Sequence, residues 1–353
     1  MSEILFYGET TKFSVHGVSL SNDLFLKDFS SHSNIDVINE CSHLHDHGKV
    51  GLSKILNFVK ALCLAVKMSC NNKYDYYYSV YSVSVMGALK SLLMLLCVKL
   101  VSPKTKLVIH IHRGDLSQKS ESSLFFRVLT KLAIKLCYKI ILISKKQVAD
   151  YTAARMFGAD SYIYVANTIE LPPQFQAESE CEGKYLYLSN YIKEKGIFDL
   201  LDAWNLLSDN FQLKCFGGET AGVSIASLKA HVENTYVDIQ STVSGVAKFN
   251  EISKAKALIL PSWNEGAPLV ILEAMSMGTP IIATDVGFIR EMLGDDYLYL
   301  FEARNTKQLA EMVIDFEHLT GKERLQLGAY LKARFNTEFS RSRRVNDFLQ
   351  VFQ

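Results

Sequence analysis

The sequence lacks several features that would assign it to a simple class. Its seven cysteines form no C-x-x-C pair, which argues against a zinc site or a disulfide framework. No G-x-G-x-x-G follows the first apolar run, so a dinucleotide-dependent oxidoreductase is disfavoured. The 38 basic and 37 acidic residues nearly cancel, so the chain has no net field that would bind nucleic acid.

A long apolar run and a secretory leader are also missing. The most apolar stretch, residues 86–101, contains Lys90 and Lys99 and is shorter than the ~20 residues that cross a bilayer. The first four residues include an acid and lack the basic region of a signal peptide. We therefore expect a cytoplasmic protein.

The composition indicates a folded chain of two domains. The chain has 353 residues, 48% of them hydrophobic and 21% charged. Residues 1–168 contain 20 Lys and Arg against 12 Asp and Glu, whereas the remainder contains 18 against 25. This asymmetry suggests that the first half faces an anionic partner, such as a phosphate-bearing substrate or a lipid surface. Uneven charge on a solvated surface is the alternative.

Short runs rich in β-branched and aromatic residues alternate with longer helical patterns. The runs are 4–7, 35–38, 76–81, 106–111, 139–143, 162–165, 184–188, 212–216, 236–239, 257–260, 280–283 and 297–300. This alternation predicts an α/β chain with two doubly wound parallel sheets. We expect an N-terminal domain over 1–168, a C-terminal domain over 169–335, and a last helix over 336–353 that returns to the N-terminal domain.

The most informative segment is residues 260–278, which reads as a strand end, a polar loop and a helix that begins near Pro268. Glu265 lies in the loop, and Glu273 lies about five residues into the helix. A helix N-terminus attracts phosphate, and carboxylates accept hydrogen bonds from hydroxyls. A ligand with both groups, such as a nucleotide sugar, therefore fits this segment.

The spacing of Glu265 and Glu273 within P-S-x-x-E-G-x-P-L-V-x-x-E-A-M-x-x-G-x-P resembles the signature of glycosyltransferase family 4. Lys195-Gly196, Gly217-Gly218 and residues 285–291 follow the order of other motifs of that family. The resemblance implies retaining chemistry and a GT-B fold, in which two Rossmann-like domains flank a cleft.

The resemblance also implies a role for each matching residue. Glu265 would contact the transferred sugar, Glu273 would bind the ribose hydroxyls, and Lys195 would neutralise the diphosphate leaving group. His112 matches an active-site histidine of the family, although His110 on the same strand face stays an alternative. The implied catalytic residues are His112, Glu265 and Lys195. The implied donor-binding residues are Gly17, Asn190, Lys195, Glu265, Gly266, Ala267, Pro268, Leu269 and Glu273.

Gly17 and Asn190 are implied to lie near the donor's diphosphate. Gly17 lies in a loop that resembles the glycine-bearing loop beside the diphosphate in the family, where a glycine lets backbone approach phosphate. Asn190 stands where the family usually has Arg, five residues before Lys195. One of two expected cations is therefore missing, and Lys195 or Lys193 is expected to compensate.

No metal or other cofactor is expected. The sequence has no Asp-x-Asp that would hold a cation on a diphosphate, and the histidines of residues 43–47 are interpreted as part of a solvated loop.

A basic pattern occurs in residues 123–139, where Arg127, Lys131, Lys135 and Lys139 are four residues apart. A basic amphipathic helix binds anionic lipid, so we expect an anionic membrane surface as a partner. An ordinary sheet-covering helix with a solvated basic edge is the alternative.

The sequence thus predicts a metal-independent, retaining glycosyltransferase that acts on a nucleoside-diphosphate-sugar donor. Family members of this length commonly build bacterial surface polysaccharides, such as the O-antigen of lipopolysaccharide, on lipid-linked oligosaccharide acceptors. We therefore expect peripheral attachment to the inner face of the cell membrane. Two alternatives stay open, a nucleotide-sugar epimerase on the same fold and a non-catalytic nucleotide-sugar-binding protein.

Overall fold

The computed structural model describes residues 1–13, 15–40, 52–155, 157, 162–175, 183–207, 211–220 and 222–353. It divides into two compact units, one of Met1–Thr168 with Arg341–Gln353 and one of Ile169–Ser340. Each unit contains a six-stranded sheet whose paired strands are all parallel. The prediction of two doubly wound α/β sheets is confirmed.

The first unit has the strand order β2-β1-β3-β4-β5-β6. Its strands are β1 (Ser2–Gly8), β2 (Ser33–Asn39), β3 (Tyr76–Val80), β4 (Lys106–Ile111), β5 (Lys139–Leu142) and β6 (Tyr162–Tyr164). Its first six helices are α1 (Gly17–Phe29), α2 (Leu52–Asn71), α3 (Val85–Val101), α4 (Leu116–Ser122), α5 (Leu124–Leu136) and α6 (Lys145–Ala153).

The second unit has the strand order β12-β11-β10-β7-β8-β9. Its strands are β7 (Tyr185–Leu188), β8 (Leu213–Phe216), β9 (Val237–Gln240), β10 (Ala257–Leu260), β11 (Ile281–Thr284) and β12 (Leu300–Phe301). Its helices are α7 (Ile197–Leu206), α8 (Ile225–His231), α9 (Gly245–Lys254), α10 (Leu269–Met277), α11 (Ile289–Leu293), α12 (Thr306–Glu317) and α13 (Gly321–Arg334). The last helix of the chain, α14 (Arg341–Val351), belongs to the first unit.

The first sheet is covered on both faces because successive side chains of a strand point in opposite directions. Leu5 and Tyr7 of β1 pack in a core with helices α2, α3 and α5. Ile4 and Phe6 pack on the other face, in a core with α1 and α14. The helix that ends the chain therefore completes the core of the unit that begins it.

The strand order of the second sheet places β7 beside β10, and the chain leaves these two strands toward different neighbours. Open parallel sheets bind ligands at such a switch point, outside the carboxyl ends of the strands. The loops after β7 and β10 carry Lys195 and Glu265, so both residues lie at this edge of the sheet.

One strand boundary differs from the sequence predictions. The last predicted run, 297–300, forms only the two-residue strand Leu300–Phe301. Tyr297 instead lies buried with its hydroxyl donating to the Ile281 carbonyl at 2.7 Å, so it anchors β11 as a side chain. Helix α10 begins at Leu269, in agreement with the predicted start near Pro268, whose own ψ of 129° is extended.

The apolar stretch 86–101 lies in α3, one side of which packs in the core. Across the described ranges, every helix falls short of the length and hydropathy needed to cross a membrane.

We expect Phe348→Ala to destabilise the protein by about 3–5 kcal/mol, because it would leave a cavity under α14. Phe348 is buried, and its ring lies 4.7 Å from the ring of Phe25 and 6.0 Å from that of Tyr78. Equilibrium urea unfolding of the full chain measures the change. The exposed neighbour Gln350 offers a matched control, and Gln350→Ala should change stability by less than about 0.5 kcal/mol. Equal effects of the two substitutions would contradict the packing of α14.

Candidate active site

The loop after β7 and the loop after β10 bring Lys195 and Glu265 together. The Lys195 Nζ lies 2.7 Å from the Glu265 Oε1, and the Glu265 side chain is only 9% exposed. Gly196 makes this approach possible, since it has φ 71° and a Cβ there would lie 2.0 Å from the carbonyl oxygen of Pro261. The Trp263 amide also donates to the Glu194 carbonyl at 2.9 Å, which joins the two loops.

A second glycine supports the Glu265 loop from the side of β11. Gly287 has φ 59°, and a Cβ there would lie 2.0 Å from the carbonyl oxygen of Glu265. The next amide, that of Phe288, donates to the Gly266 carbonyl at 3.1 Å. Within residues 285–291, whose order resembles a family motif, Gly287 and Phe288 thus contact the loop that carries Glu265.

Glu273 lies on α10 and is buried, with a relative exposure of 6%. Its Oε1 lies 2.6 Å from the Nζ of Lys248, which belongs to α9. Burial raises the pKa of the Glu273 carboxyl, and the charge and hydrogen bond of Lys248 oppose that shift. A carboxylate held in this way is a strong hydrogen-bond acceptor for a ligand that displaces the lysine.

Glu273 and Lys248 line a cavity of about 190 Å³ at the carboxyl ends of β7, β8 and β9. The cavity is lined by Leu188, Ser189, Asn190, Phe216, Gly217, Thr242, Val243, Lys248, Val270 and Glu273. Two charged side chains, three polar side chains and an apolar wall therefore face one space. Such a mixture suits a ligand that has both a flat apolar part and hydroxyl or phosphate groups.

The four residues after Glu265 continue the loop into α10. Gly266, Ala267 and Pro268 lead to Leu269, the first residue of the helix. Where the structure describes side chains, none caps this N-terminus. The first-turn amides of α10 therefore keep the partial positive charge that favours an anion.

His112 follows directly after β4, and its ring centroid lies 3.9 Å from that of His110. His110 is buried and shares a 2.7 Å hydrogen bond between its Nδ1 and the Tyr78 hydroxyl. The Nε2 of His112 is buried without a partner among the described residues. Burial and the charge of Arg344 lower the pKa of His112 to about 3, against an opposing contact with Asn167. The imidazole is therefore neutral near pH 7.

Gly17 is the first residue of α1, in the turn after β1. The preceding residue, His16, caps the helix, since its Nδ1 accepts from the Ser19 amide at 3.4 Å. The Nε2 of His16 lies 2.6 Å from the Glu9 carboxylate. The loop that was predicted to approach phosphate thus begins a capped helix, while Ser14 lies outside the described residues.

A further polar pair lies at the carboxyl edge of the first sheet. Glu40 follows β2, and its Oε1 lies 3.4 Å from the Nζ of Lys90 on α3. Burial raises the pKa of the Glu40 carboxyl, and Lys90 opposes that shift. The histidines of residues 43–47 fall next in the chain and outside the described residues. In the rest of the chain that the structure describes, no three His, Cys, Asp or Glu side chains gather as a metal site requires.

The structure therefore places the predicted residues in two groups. The second unit holds Asn190, Lys195, Glu265, Gly266, Ala267, Pro268, Leu269 and Glu273 at one sheet edge, whereas His112 and Gly17 lie in the first unit. Lys193 lies over the ring of Trp263 rather than beside a carboxylate. The cation that shares the cavity with Asn190 is Lys248, which the sequence analysis did not identify.

The lowered pKa of His112 predicts a pH-dependent stability. The unfolded chain binds a proton at this histidine near pH 6.5, whereas the folded chain stays neutral down to about pH 3. Stability should therefore fall as the pH drops through 6.5, by roughly 2 kcal/mol at pH 5 from this group. His112→Gln should remove that part of the slope in urea unfolding between pH 7.5 and 5. His318→Gln, at an exposed position, should leave the slope unchanged, and an unchanged slope in both variants would contradict the lowered pKa of His112.

Part of the chain is similar in sequence to known glycosyltransferases. Residues 170–334 match the family model described as "Glycosyl transferases group 1". A putative teichuronic acid biosynthesis glycosyltransferase of Bacillus subtilis is 29% identical over 133 residues, which is 38% of this chain and 32% of the relative. An O-antigen chain mannosyltransferase of Salmonella typhimurium is 28% identical over 182 residues, half of each protein. The chain thus spans half or less of the length of these relatives.

The fold is also found in solved structures. The structure of Anabaena HepE in complex with UDP matches with a TM-score of 0.76 at 16% identity, over 99% of both chains. At this identity the match shows the fold alone. Residues 170–334 are therefore similar to group 1 glycosyltransferases, and the two-sheet architecture of the whole chain is the GT-B fold of the matched structure.

Proposed function

We propose that the chain is a retaining glycosyltransferase that moves a sugar from a nucleoside diphosphate to an acceptor hydroxyl. One observation carries the proposal. The second unit combines the Lys195–Glu265 pair, the cavity with Lys248 and Glu273, and the uncapped N-terminus of α10 at a single sheet edge. These groups complement the hydroxyls and the diphosphate of one nucleotide sugar.

Binding of the donor would replace the ion pair between Glu273 and Lys248 with contacts from each of them to the donor. Ribose hydroxyls would donate to the Glu273 carboxylate, and this would release the Nζ of Lys248, 2.6 Å away, toward the diphosphate. Lys248 would thereby supply the second cation that Asn190 does not provide. Because each group leaves one partner for another, no buried charge would be left unpaired.

The leaving diphosphate would be stabilised by Lys195 and the first turn of α10. Both are fixed before reaction, and such preorganised charge lowers a barrier in which negative charge develops. Glu265 would position the transferred sugar and accept from its hydroxyls, aided by the backbone of residues 266–269. In the retaining mechanism that the sequence resemblance implies, the acceptor enters on the face from which the diphosphate leaves, so no side chain acts as a covalent nucleophile.

The first unit would serve the acceptor, and His112 would contact the donor sugar as a neutral hydrogen-bonding group. We propose a lipid-linked oligosaccharide acceptor in the synthesis of a bacterial surface polysaccharide, without a metal ion. The named relatives act in teichuronic acid and O-antigen synthesis, which supports this class of product. An acceptor of this kind would require a cytoplasmic enzyme held at the inner face of the cell membrane.

The role of Lys195 can be tested against its neighbour Lys193. Lys195→Ala should lower kcat by about 10²- to 10³-fold, the usual effect of removing one preorganised charge from a transition state. Lys193→Ala should stay near wild type, because Lys193 lies over the Trp263 ring, 5.8 Å from its centroid. Thermal unfolding of both variants checks that each is folded. Comparable losses in the two variants would mean that the diphosphate site is placed wrongly.

The reaction itself is tested by the product of Glu265→Gln and of the wild type. Wild-type enzyme should form a product with the donor's anomeric configuration, and only when an acceptor is present. Glu265→Gln should still bind free nucleotide by calorimetry, since Glu273 and Lys195 remain, while transfer falls sharply.

Three outcomes would contradict the proposal in different ways. Inverted product would exclude the retaining mechanism. Altered nucleotide sugar formed without acceptor would indicate an epimerase. Nucleotide binding without turnover over a broad panel of donors and acceptors would indicate a binding protein.

A further inference from the structure

One layer of helices in the first unit exposes many apolar and basic side chains to solvent. Helices α2, α3 and α5 pack side by side over one face of the first sheet, with α3 in the middle. We call their solvent-facing side the α2–α3–α5 face. It is defined by the exposed residues Ile55, Leu56, Val59, Lys60, Leu64, Lys67, Met86, Leu93, Leu96, Leu100, Leu124, Phe125, Arg127, Val128, Lys131, Leu132 and Lys135.

The face is rich in exposed apolar side chains. The three helices comprise 50 residues, yet they carry 12 of the 24 large apolar residues that are exposed in the described chain. On α3 the exposed positions 86, 93, 96 and 100 recur at helical spacing, and all of them are apolar. Leu100, Leu124 and Phe125 are 78%, 75% and 59% exposed. Exposed apolar side chains concentrated on three adjacent helices mark an interaction site rather than scattered exposure.

The same helices carry charge of one sign. They contain eight Lys and Arg, three on α2, two on α3 and three on α5, and no Asp or Glu. Residues 1–168 hold 20 basic and 12 acidic residues, so the part of this segment outside the three helices has 12 of each. The whole basic excess of the first half therefore lies in the layer of α2, α3 and α5.

The cations and apolar groups alternate along α5. Its exposed side reads Leu124, Phe125, Arg127, Val128, Lys131, Leu132 and Lys135. Arg127, Lys131 and Lys135 have no acidic partner in the part of the chain that the structure describes. Their cations therefore stay available for external anions. The basic pattern that the sequence showed is thus interleaved with apolar side chains rather than set beside a polar surface.

We propose that the α2–α3–α5 face docks on an anionic lipid membrane. A bilayer surface offers a flat array of phosphate and carboxylate charges above hydrocarbon, so it satisfies the lysines and the leucines of the face at the same depth. A soluble protein partner would need a broad apolar patch surrounded only by acids. The inference deepens the peripheral location proposed above, and its test measures vesicle binding rather than sugar transfer, so the two can fail separately.

The first experiment removes apolar side chains. Phe125→Gln with Leu124→Gln should weaken co-sedimentation with phosphatidylglycerol–phosphatidylcholine vesicles, and the loss should persist at high salt because apolar insertion is not screened. Leu325→Gln is the matched control, since Leu325 on α13 is 77% exposed in the second unit. The control should bind vesicles like the wild type. All of these positions are exposed, so folding should be retained.

The second experiment reverses charge on α5. Lys131→Glu with Lys135→Glu should lower the partition coefficient onto the same vesicles at least about tenfold in low salt and make the residual binding less sensitive to salt. Lys307→Glu with Lys332→Glu, at exposed sites of the second unit, should leave binding unchanged. Vesicles of phosphatidylcholine alone should bind the wild type more weakly. Binding of free nucleotide should be equal in every variant.

Several results would overturn the proposal. They are absence of wild-type binding to the anionic vesicles, equal losses in the face variants and their controls, and equal binding to anionic and neutral vesicles. A concentration-dependent dimer in analytical ultracentrifugation that Phe125→Gln with Leu124→Gln dissociates, together with no vesicle binding, would show that the face is covered by a second copy of the chain instead.

Discussion

The position of Glu265 depends on two close backbone contacts that only glycine permits. Gly196 lies against the Pro261 carbonyl on one side of the loop, and Gly287 lies against the Glu265 carbonyl on the other. Any Cβ at either position would move the loop, because real Cβ atoms do not approach an oxygen to 2.0 Å. Since Lys195 directly precedes Gly196, the contact that fixes the loop also fixes its cation. The geometry of the carboxylate, the ammonium group and the N-terminus of α10 therefore follows from these two contacts.

Two ion pairs neutralise the buried carboxylates at this edge of the sheet. Glu265 and Glu273 are both about nine-tenths buried, and each is matched by one lysine. A buried carboxylate without a partner would be strongly unfavourable, so the lysines hold the site in a neutral, paired state. A ligand with hydroxyls alone would leave the two partly exposed lysines to solvent, and a ligand with phosphate alone would leave two buried carboxylates without a cation. A ligand with both kinds of group would give all four charges a new partner, which supports the proposed nucleotide-sugar donor.

The sequence was a good guide wherever the information is local. Short apolar runs predicted the strands, because a parallel strand that is buried on both faces is apolar along most of its length. The run 297–300 was misplaced, since the apolar Tyr297 acts through a long-range hydrogen bond to Ile281 that no local pattern encodes. The same distinction applies to the site. Glu265 and Glu273 lie in one motif, whereas Lys248 reaches Glu273 only because α9 packs beside α10.

The composition of the α2–α3–α5 face likewise depends on long-range packing as well as on the local sequence. The sequence showed a basic first half and a cationic repeat in residues 123–139, but it could not show which side of α3 would be outside. That depends on packing between α2 and α5, which buries Leu92, Leu95 and Val98 and leaves Leu93, Leu96 and Leu100 exposed. Because the basic excess and the exposed leucines meet on one layer, residues 1–168 have one specialised face and are otherwise balanced in charge. The candidate donor-binding residues lie mainly in the second unit, whereas the α2–α3–α5 face belongs to the first unit.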